Sequence, residues 1–338
     1  MSKTALVISG GGSKGAFAVG VLQHLVLDLG IRFDLVAGTS TGSAIAPLVV
    51  TDEVDELVRI YSSVSTPDVL TARPVAAAFL DNDSLFDSHP FWNLLGATMT
   101  ASRVATVMSS QIQMFITTVN LRSGQVVHFQ TGPDSDPSPE SVVVRVTTRD
   151  QLMHAILASA DEPALMPPVT MTTPGAPPGQ YVDGGVRSVL SSRIALDNGA
   201  TDLYLIVLSP ENDDNDKDFP KLPGILLRTI DLFQEEIALG CVDAALTAQK
   251  AVRWREALKT KLMTRFQLMR SEVENLLASV GAEDPFATTR AATLHVIRPD
   301  CSLEKEFSTS GLEFDPMKMA GMMAKGRRRA REVLSAGG

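Results

Sequence analysis

Three short stretches of this chain carry residue types that together could do acyl-transfer chemistry. Gly38-Thr39-Ser40-Thr41-Gly42 is a G-x-S-x-G turn. Set between a strand and a helix, such a turn makes a nucleophile elbow, whose glycines tolerate the crowded backbone that lifts one hydroxyl above a sheet edge. Gly10-Gly11-Gly12-Ser13-Lys14-Gly15 is a glycine loop whose backbone N–H groups can converge on a developing anion. Asp183 stands in Asp183-Gly184-Gly185, where two glycines let a turn bring a carboxylate against another backbone. Each has a plainer reading as a small-residue turn, a nucleotide loop or an ordinary Asp-Gly turn.

The elements that must position these residues are legible from the apolar runs. Thr4 to Ser9 is a short buried-strand pattern ended by glycines, and Phe17, Val21, Leu22, Leu25 and Leu29 follow at helical spacing until Gly30. Phe33 to Thr39 is the next strand, and the charge-free run Ser43 to Val50 is a buried helix. A strand, glycine loop, helix and strand in that order make two parallel strands with a crossover. Residues 54 to 110 read as helices broken at Pro67, Pro74 and Pro90, with a turn and helix start at Asp81 to Ser84. Met114 to Val119 and Gln125 to Gln130 form a hairpin, and Thr131 to Ser141 an exposed loop. Gln151 to Ala160 is a helix, the proline-rich 163–179 cannot be one, and Leu203 to Leu208 is a strand. Ile225 to Val280 is helical with an interruption near Gly240, Thr293 to Ile297 a strand, and Pro316 to Leu334 a closing helix. The expected class is α/β, three-layered, with a mainly parallel central sheet between helices and a C-terminal helical extension. Residues 1–338 read as a single domain, with the core motifs within 4–210 and the helical lid or extension over about 219–338.

Gly10, Gly12 and Gly15 also satisfy G-x-G-x-x-G, the dinucleotide fingerprint, which makes a dinucleotide-binding oxidoreductase the rival reading. That fingerprint wants an acid at the carboxyl end of the second strand. Asp34 sits at its beginning instead, and the carboxyl end carries the elbow. A Walker A loop is excluded because Lys14 precedes Gly15 rather than following the last glycine. In a parallel sheet the loop after the first strand and the elbow after the second face one crevice. Of the five histidines, His24, His89, His128, His154 and His295, none lies in a strand-end loop suited to a triad base, so Asp183 is the better candidate.

The three motifs, in this order, resemble those of the patatin-like phospholipases. Ala158-Ser159-Ala160-Asp161-Glu162-Pro163 with Met166-Pro167-Pro168, and Asp83-Ser84-Leu85-Phe86-Asp87, look similar to further blocks of bacterial members. The resemblance covers residues 4 to 210. It implies a Ser-Asp dyad: Ser40 as nucleophile, Asp183 as its base and Gly10, Gly11 and Gly12 as oxyanion hole. Lys14, Gly15, Gly38, Gly42, Gly184 and Gly185 are the supporting motif residues, with no cofactor and no metal. The substrate would be a phospholipid, lysophospholipid or simpler carboxylic ester. A non-catalytic lipid-binding protein of the same fold is the other alternative, against which stands the presence of every site residue.

An acyl pocket and a lipid-facing surface should accompany such a site. Phe79, Leu80, Phe91, Trp92, Leu94, Leu95 and Met99 could line or cap the pocket, and Leu222 to Leu239 is an amphipathic candidate for a lid or membrane-contact helix. The C-terminal helix carries Met317, Met319, Met322 and Met323, then Lys325, Arg327, Arg328, Arg329 and Arg331. A packed methionine face with a solvated basic face competes there with attraction to anionic lipid. The acidic loop Glu211 to Asp218 lacks the glycine and bidentate glutamate of a calcium loop. A net charge of -9 gives no global field favouring nucleic acid. Cys241 and Cys301 have no metal-ligand or redox spacing, which fits a reduced, cytoplasmic-type protein or an exported one without a disulfide. The first residues show no signal-peptide pattern and no stretch reaches a membrane span, so membrane contact should be peripheral. Oligomeric state has no signature in the sequence.

Overall fold

Strands β1 (Thr4–Ile8), β2 (Leu35–Thr39) and β10 (Asp202–Ile206) lie at the centre of the sheet, where helices cover both faces. That double burial is why their sequences are apolar almost without alternation. Successive residues still divide between the faces: Leu6 and Ile8 join one core with Val36 and Ile206, while Ala5 and Val7 join the other with Leu35, Leu203 and Leu205. The structure, a computed structural model, describes residues 2–74, 84–135, 141–212, 218, 222–279 and 290–336; of Leu222, Pro223 and Leu227 it describes the backbone.

The remaining strands are β3 (Thr71–Ala72), β4 (Phe86–Asp87), β5 (Gln113–Asn120), β6 (Val126–Thr131), β7 (Val142–Arg145), β8 (Val169–Met171), β9 (Gly179–Asp183) and β11 (Thr293–Ile297). The main sheet runs β11-β10-β1-β2-β5-β6-β7, with parallel pairing from β11 through β5 and antiparallel pairing between β5 and β6. Helices Gly15–Leu22, Thr41–Val50, Arg149–Ala160 and Pro316–Ala336 pack on one face. Ser192–Asp197 and the 45-residue helix Leu222–Phe266 pack on the other. The α/β three-layer expectation is therefore met, with the C-terminal helices in place.

One edge of β5 positions the site. β6 pairs along Met114 to Val119 and takes the opposite edge of β5. On the remaining edge β2 runs up as far as Thr39, opposite Thr117, and β9 runs down as far as Asp183, opposite Thr118. The two strand ends meet head to head on consecutive rungs. Residues 40 and 183, which 142 intervening residues separate in the chain, are brought together by pairing to one strand.

Several boundaries differ from the sequence reading. Ser84 to Asp87 leads into β4 rather than a helix, because Leu85 and Phe86 donate backbone hydrogen bonds to Ala164 and Leu165. β7 emerges from the end of the expected loop and pairs parallel to β6. The long helix passes through Gly240 without a break, since that glycine is exposed and a helix tolerates one at modest cost. It stops at Phe266 because Gln267 turns to φ 53°. The turn proposed at Asp81 to Asp83, and Phe79 and Leu80, lie outside the described residues.

The closing helix docks on Gly15–Leu22 through a crossing that only glycine allows. A Cβ on Gly20 would collide with the Met323 carbonyl, and one on Gly326 with the Phe17 carbonyl. Met319, Met322 and Met323 fill the core beside it, while Met317 is exposed. The basic run is largely paired within the chain: Arg327 and Arg331 with Asp28, Arg328 and Arg329 with Glu332, and buried Lys325 with Asp300 at 2.6 Å and with Glu306. Gly326→Ala should destabilise the fold by about 1–3 kcal/mol, because the packed backbones must separate. A lower urea midpoint with an unchanged slope is the expected result; an unchanged midpoint would show that the crossing is loose.

Candidate active site

Ser40 sits at φ 55°, ψ −125°, a conformation that costs a serine about 1–3 kcal/mol and persists only where neighbours hold it. The turn is this sharp because helix Thr41–Val50 doubles back on its own strand. A Cβ on Gly38 would strike the Gly42 carbonyl, and a Cβ on Gly42 would strike that of Ile8. The Ser40 amide donates to Ser159 Oγ at 3.0 Å, and Ser159 Oγ donates to the Thr117 carbonyl at 2.7 Å. The Ser40 carbonyl accepts from the amide and hydroxyl of Ser43 at 2.8 and 2.6 Å.

The Ser40 side chain lies near enough to the Asp183 carboxyl to favour its ionised form. Asp183 is buried, and its Oδ1 accepts the Gly185 amide at 2.6 Å. Gly184 comes so near β5 that a Cβ would lie 2.5 Å from the Thr117 carbonyl oxygen. Burial pushes the Asp183 carboxyl up to about 6, against the opposing pull of the Ser40 side chain and the Gly185 amide.

The glycine loop lies directly beside Ser40. A Cβ on Gly10 would stand 2.9 Å from Ser40 Cβ, and Gly11 and Gly12 adopt φ 152° and 55°. Gly12 lines both cavities that reach Ser40. Ser13, next in the chain, donates its amide to the Gly311 carbonyl at 2.8 Å and its hydroxyl to Ser310 at 3.0 Å. Lys14 is half-buried and pairs with Glu304 at 2.9 Å. Burial would lower its pKa, but Glu304, Asp231 and Glu235 raise it above the ordinary lysine value. Lys14 therefore anchors the loop to the C-terminal segment rather than standing in solvent. Gly15 passes so close to Thr41 and Tyr61 that a Cβ would lie 2.5 and 2.6 Å from their hydroxyl oxygens.

Two spaces meet at Ser40. One is an apolar pocket with a cavity of about 120 Å³, walled by Leu48, Leu57, Phe91, Leu94, Leu95 and Phe314 among others, with Ser40, Thr41, Ser88 and Asp161 among its polar lining. The other is a polar crevice bounded by Gly11, Lys14, Glu162, Asp231, Gln234 and Gly311. Phe91, Leu94 and Leu95 thus line the pocket as expected. Trp92 instead packs against His154, and Met99 is fully buried in the core. Four of the five histidines bond elsewhere: His24 with Asp28, His154 with Asp150, His295 with Asp202, and His128 with Thr117.

Sequence reasoning passed over several contributors. Asp161 accepts from Ser88 Oγ at 3.0 Å, and Glu162 from Gln234 at 2.7 Å. Burial, then the nearby Asp183, raises each of these two acids to about 8. The block Ala158 to Pro163 was the available signal; Gln234, Glu304 and Gly311 had none, because only the fold brings them near.

The patatin-like phospholipase family matches residues 6–196, more than half of the chain, which therefore belongs to that family. A cUMP-AMP-activated phospholipase of Escherichia coli is 43% identical over 77 residues, 21% of this chain and 24% of that protein. A patatin-like phospholipase domain-containing protein of Pyricularia oryzae is 28% identical over 173 residues, 50% of this chain and 21% of that protein. The chain thus spans about a quarter or less of the length of these relatives. VipD of Legionella pneumophila aligns over 99% of this chain and 67% of its own at 10% identity and a TM-score of 0.40. Among the described residues no helix is long and apolar enough to cross a membrane.

The three raised carboxyls, Asp161, Glu162 and Asp183, bind protons more tightly folded than unfolded, where values near 3.9 and 4.3 apply. Their contribution to stability is complete below about pH 4 and declines as pH rises through about 6 for Asp183 and about 8 for the other two. Asp161→Asn keeps an acceptor for Ser88 and cannot ionise. Its melting temperature relative to the parent should climb steadily between pH 5 and pH 9; a pH-independent offset would remove Asp161 from this account.

Proposed function

We propose that this chain is a serine acyl hydrolase acting on phospholipid, lysophospholipid or simpler carboxylic esters. The observation that carries the reading is the meeting of Ser40 and the buried Asp183 carboxyl at adjoining strand ends on β5, where an apolar pocket meets a polar crevice. The acyl chain would enter the pocket and the remainder of the ester would lie in the crevice. Ser40 Oγ attacks the ester carbonyl while Asp183 takes its proton. The amides of Gly10 to Gly12 receive the oxyanion. Protonated Asp183 then gives its proton to the leaving alkoxide, and water activated by the same carboxylate releases the acyl group.

An aspartate near its ordinary pKa is a weak base for a serine, so the burial that raises Asp183 serves the reaction directly. A dinucleotide reading is disfavoured by the Gly311 carbonyl, which takes the Ser13 amide at the helix entrance where a pyrophosphate would bind. Membership of a lipid-hydrolase family supports a lipid substrate. Leu232 and Phe233 stand exposed on the same helix as Asp231 and Gln234, an apolar surface for peripheral contact with a lipid surface.

Hydrolysis of p-nitrophenyl butyrate and of phosphatidylcholine by the full chain tests the reading. Ser40→Ala and Asp183→Ala should each lower kcat by at least about 10³-fold. The parent's kcat/KM should rise between pH 5 and pH 7, half-maximal near 6 as Asp183 ionises. Undiminished hydrolysis by Ser40→Ala would sink the assignment; full activity in Asp183→Ala alone would move the base elsewhere.

A further inference from the structure

The apolar pocket has one acidic residue in its lining, and that residue is tied to both halves of the site. Asp161 is 2% exposed and closes the carboxyl end of helix Arg149–Ala160, its amide bonded to the Leu157 carbonyl at 2.9 Å. Its own carbonyl accepts the Asp183 amide, also at 2.9 Å. Its side chain accepts from Ser88 Oγ at 3.0 Å. Ser88 is itself buried and immediately precedes helix His89–Thr98, which supplies Phe91, Leu94, Leu95 and Thr98 to the pocket wall. One residue thus touches the base through its backbone and the start of the wall helix through its carboxyl.

We propose that Asp161 is a specificity-determining positioning residue, whose carboxyl, held by Ser88, seats helix His89–Thr98 as the wall of an acyl-chain pocket. This rests on the serine-hydrolase reading above for the meaning of the pocket. The Ser88 bond fixes the near end of the wall helix, so the depth and width available to an apolar chain follow from it. The protonation state of the carboxyl then decides what the pocket accepts. A neutral acid is tolerable beside a hydrocarbon chain; an ionised one must keep water, and a chain that displaces this water loses affinity. The charged and titratable groups facing Asp161 are Asp183 at the end of β9, Asp87 in β4 with Arg73 beside it, and its neighbour Glu162. Tyr61, across the pocket, is held by Thr41 and pushed up to about 12 by burial, so it stays neutral. Burial together with the Asp183 charge keeps Asp161 protonated up to about pH 8.

The test compares butyrate and dodecanoate p-nitrophenyl esters in the full chain and in Ser88→Ala, Asp161→Ala and Asp161→Asn. The ratio of kcat/KM for the long ester to that for the short one should fall about tenfold in Ser88→Ala and Asp161→Ala, through KM for the long ester. Asp161→Asn, which keeps the acceptor, should restore most of that ratio. Calorimetric binding of dodecanol to the Ser40→Ala protein gives a readout that needs no catalysis. Its Kd should weaken about tenfold between pH 7 and pH 9 and stay level when Asp161→Asn is added. Equal losses for both esters, or a dodecanol Kd indifferent to Ser88→Ala and to pH, would overturn the proposal. Absence of ester hydrolysis by the parent would count against the hydrolase reading, while the dodecanol measurement would still decide the role of Asp161.

Discussion

The hydrogen bond from the Ser40 amide to Ser159 Oγ holds the strained elbow in place, and the site is built outward from it. A buried amide left without a partner costs about 1–3 kcal/mol, on top of the strain at a positive φ. Ser159 satisfies that amide and passes its own proton to the Thr117 carbonyl at 2.7 Å. The same carbonyl limits how closely Gly184 can pack, and so sets the turn after Asp183. One backbone oxygen on β5 is therefore the common reference for both sides of the Ser40–Asp183 pair. The proposed proton transfer would need that precision, because it works only at hydrogen-bond distance.

The absence of histidine from the pair has an electrostatic counterpart. His128 lies near, bonded to Thr117 at 3.0 Å, but burial lowers its pKa to about 4 and Thr117 occupies its ring nitrogen. Asp183 gains basicity by the opposite effect of the same cause, since burial penalises a carboxylate's charge as it penalises an imidazolium's. Asp161 and Glu162 respond to that charge: burial first, and then the nearby Asp183, drives each toward its neutral form. With those two neutral at pH 7, the ionised carboxylate of the cluster is the one in contact with Ser40.

How much of this was legible follows from which interactions are local. Gly38 and Gly42 announce the elbow because the clash they avoid lies within five residues and the adjoining strand. The alternation of strands and helices gives away the layers, since double burial leaves long apolar runs at β1 and β2. The β9 strand was less visible; its role depends on sharing an edge of β5 with β2, which no local pattern encodes. Gly240 shows the opposite failure, a residue that looks like a helix break and meets nothing within 4 Å. Nothing local marks Lys14 as an anchor; only Glu304, 290 positions away, makes it one.

The long-range contacts also bear on where substrate choice resides. The family match ends at residue 196, and everything needed to break an ester by the proposed route lies within it. The polar crevice does not: Asp231 and Gln234 come from the long helix, and Ser310, Gly311 and Leu312 from the segment that straps the glycine loop. Phe314 and Met319, from the same C-terminal part, close the apolar pocket. The strap is itself tied down, by Ser13 to Gly311, by Lys14 to Glu304, and by Thr66, which exchanges two hydrogen bonds of 2.9 Å with Phe314. The proposed chemistry thus stays within the matched residues, while selectivity would be shared between helix His89–Thr98, inside the match, and the C-terminal segments beyond it. The first can stay constant while the second varies, because changes in the strap or the long helix reshape the walls around Ser40 without touching the rungs of β5 that hold it opposite Asp183.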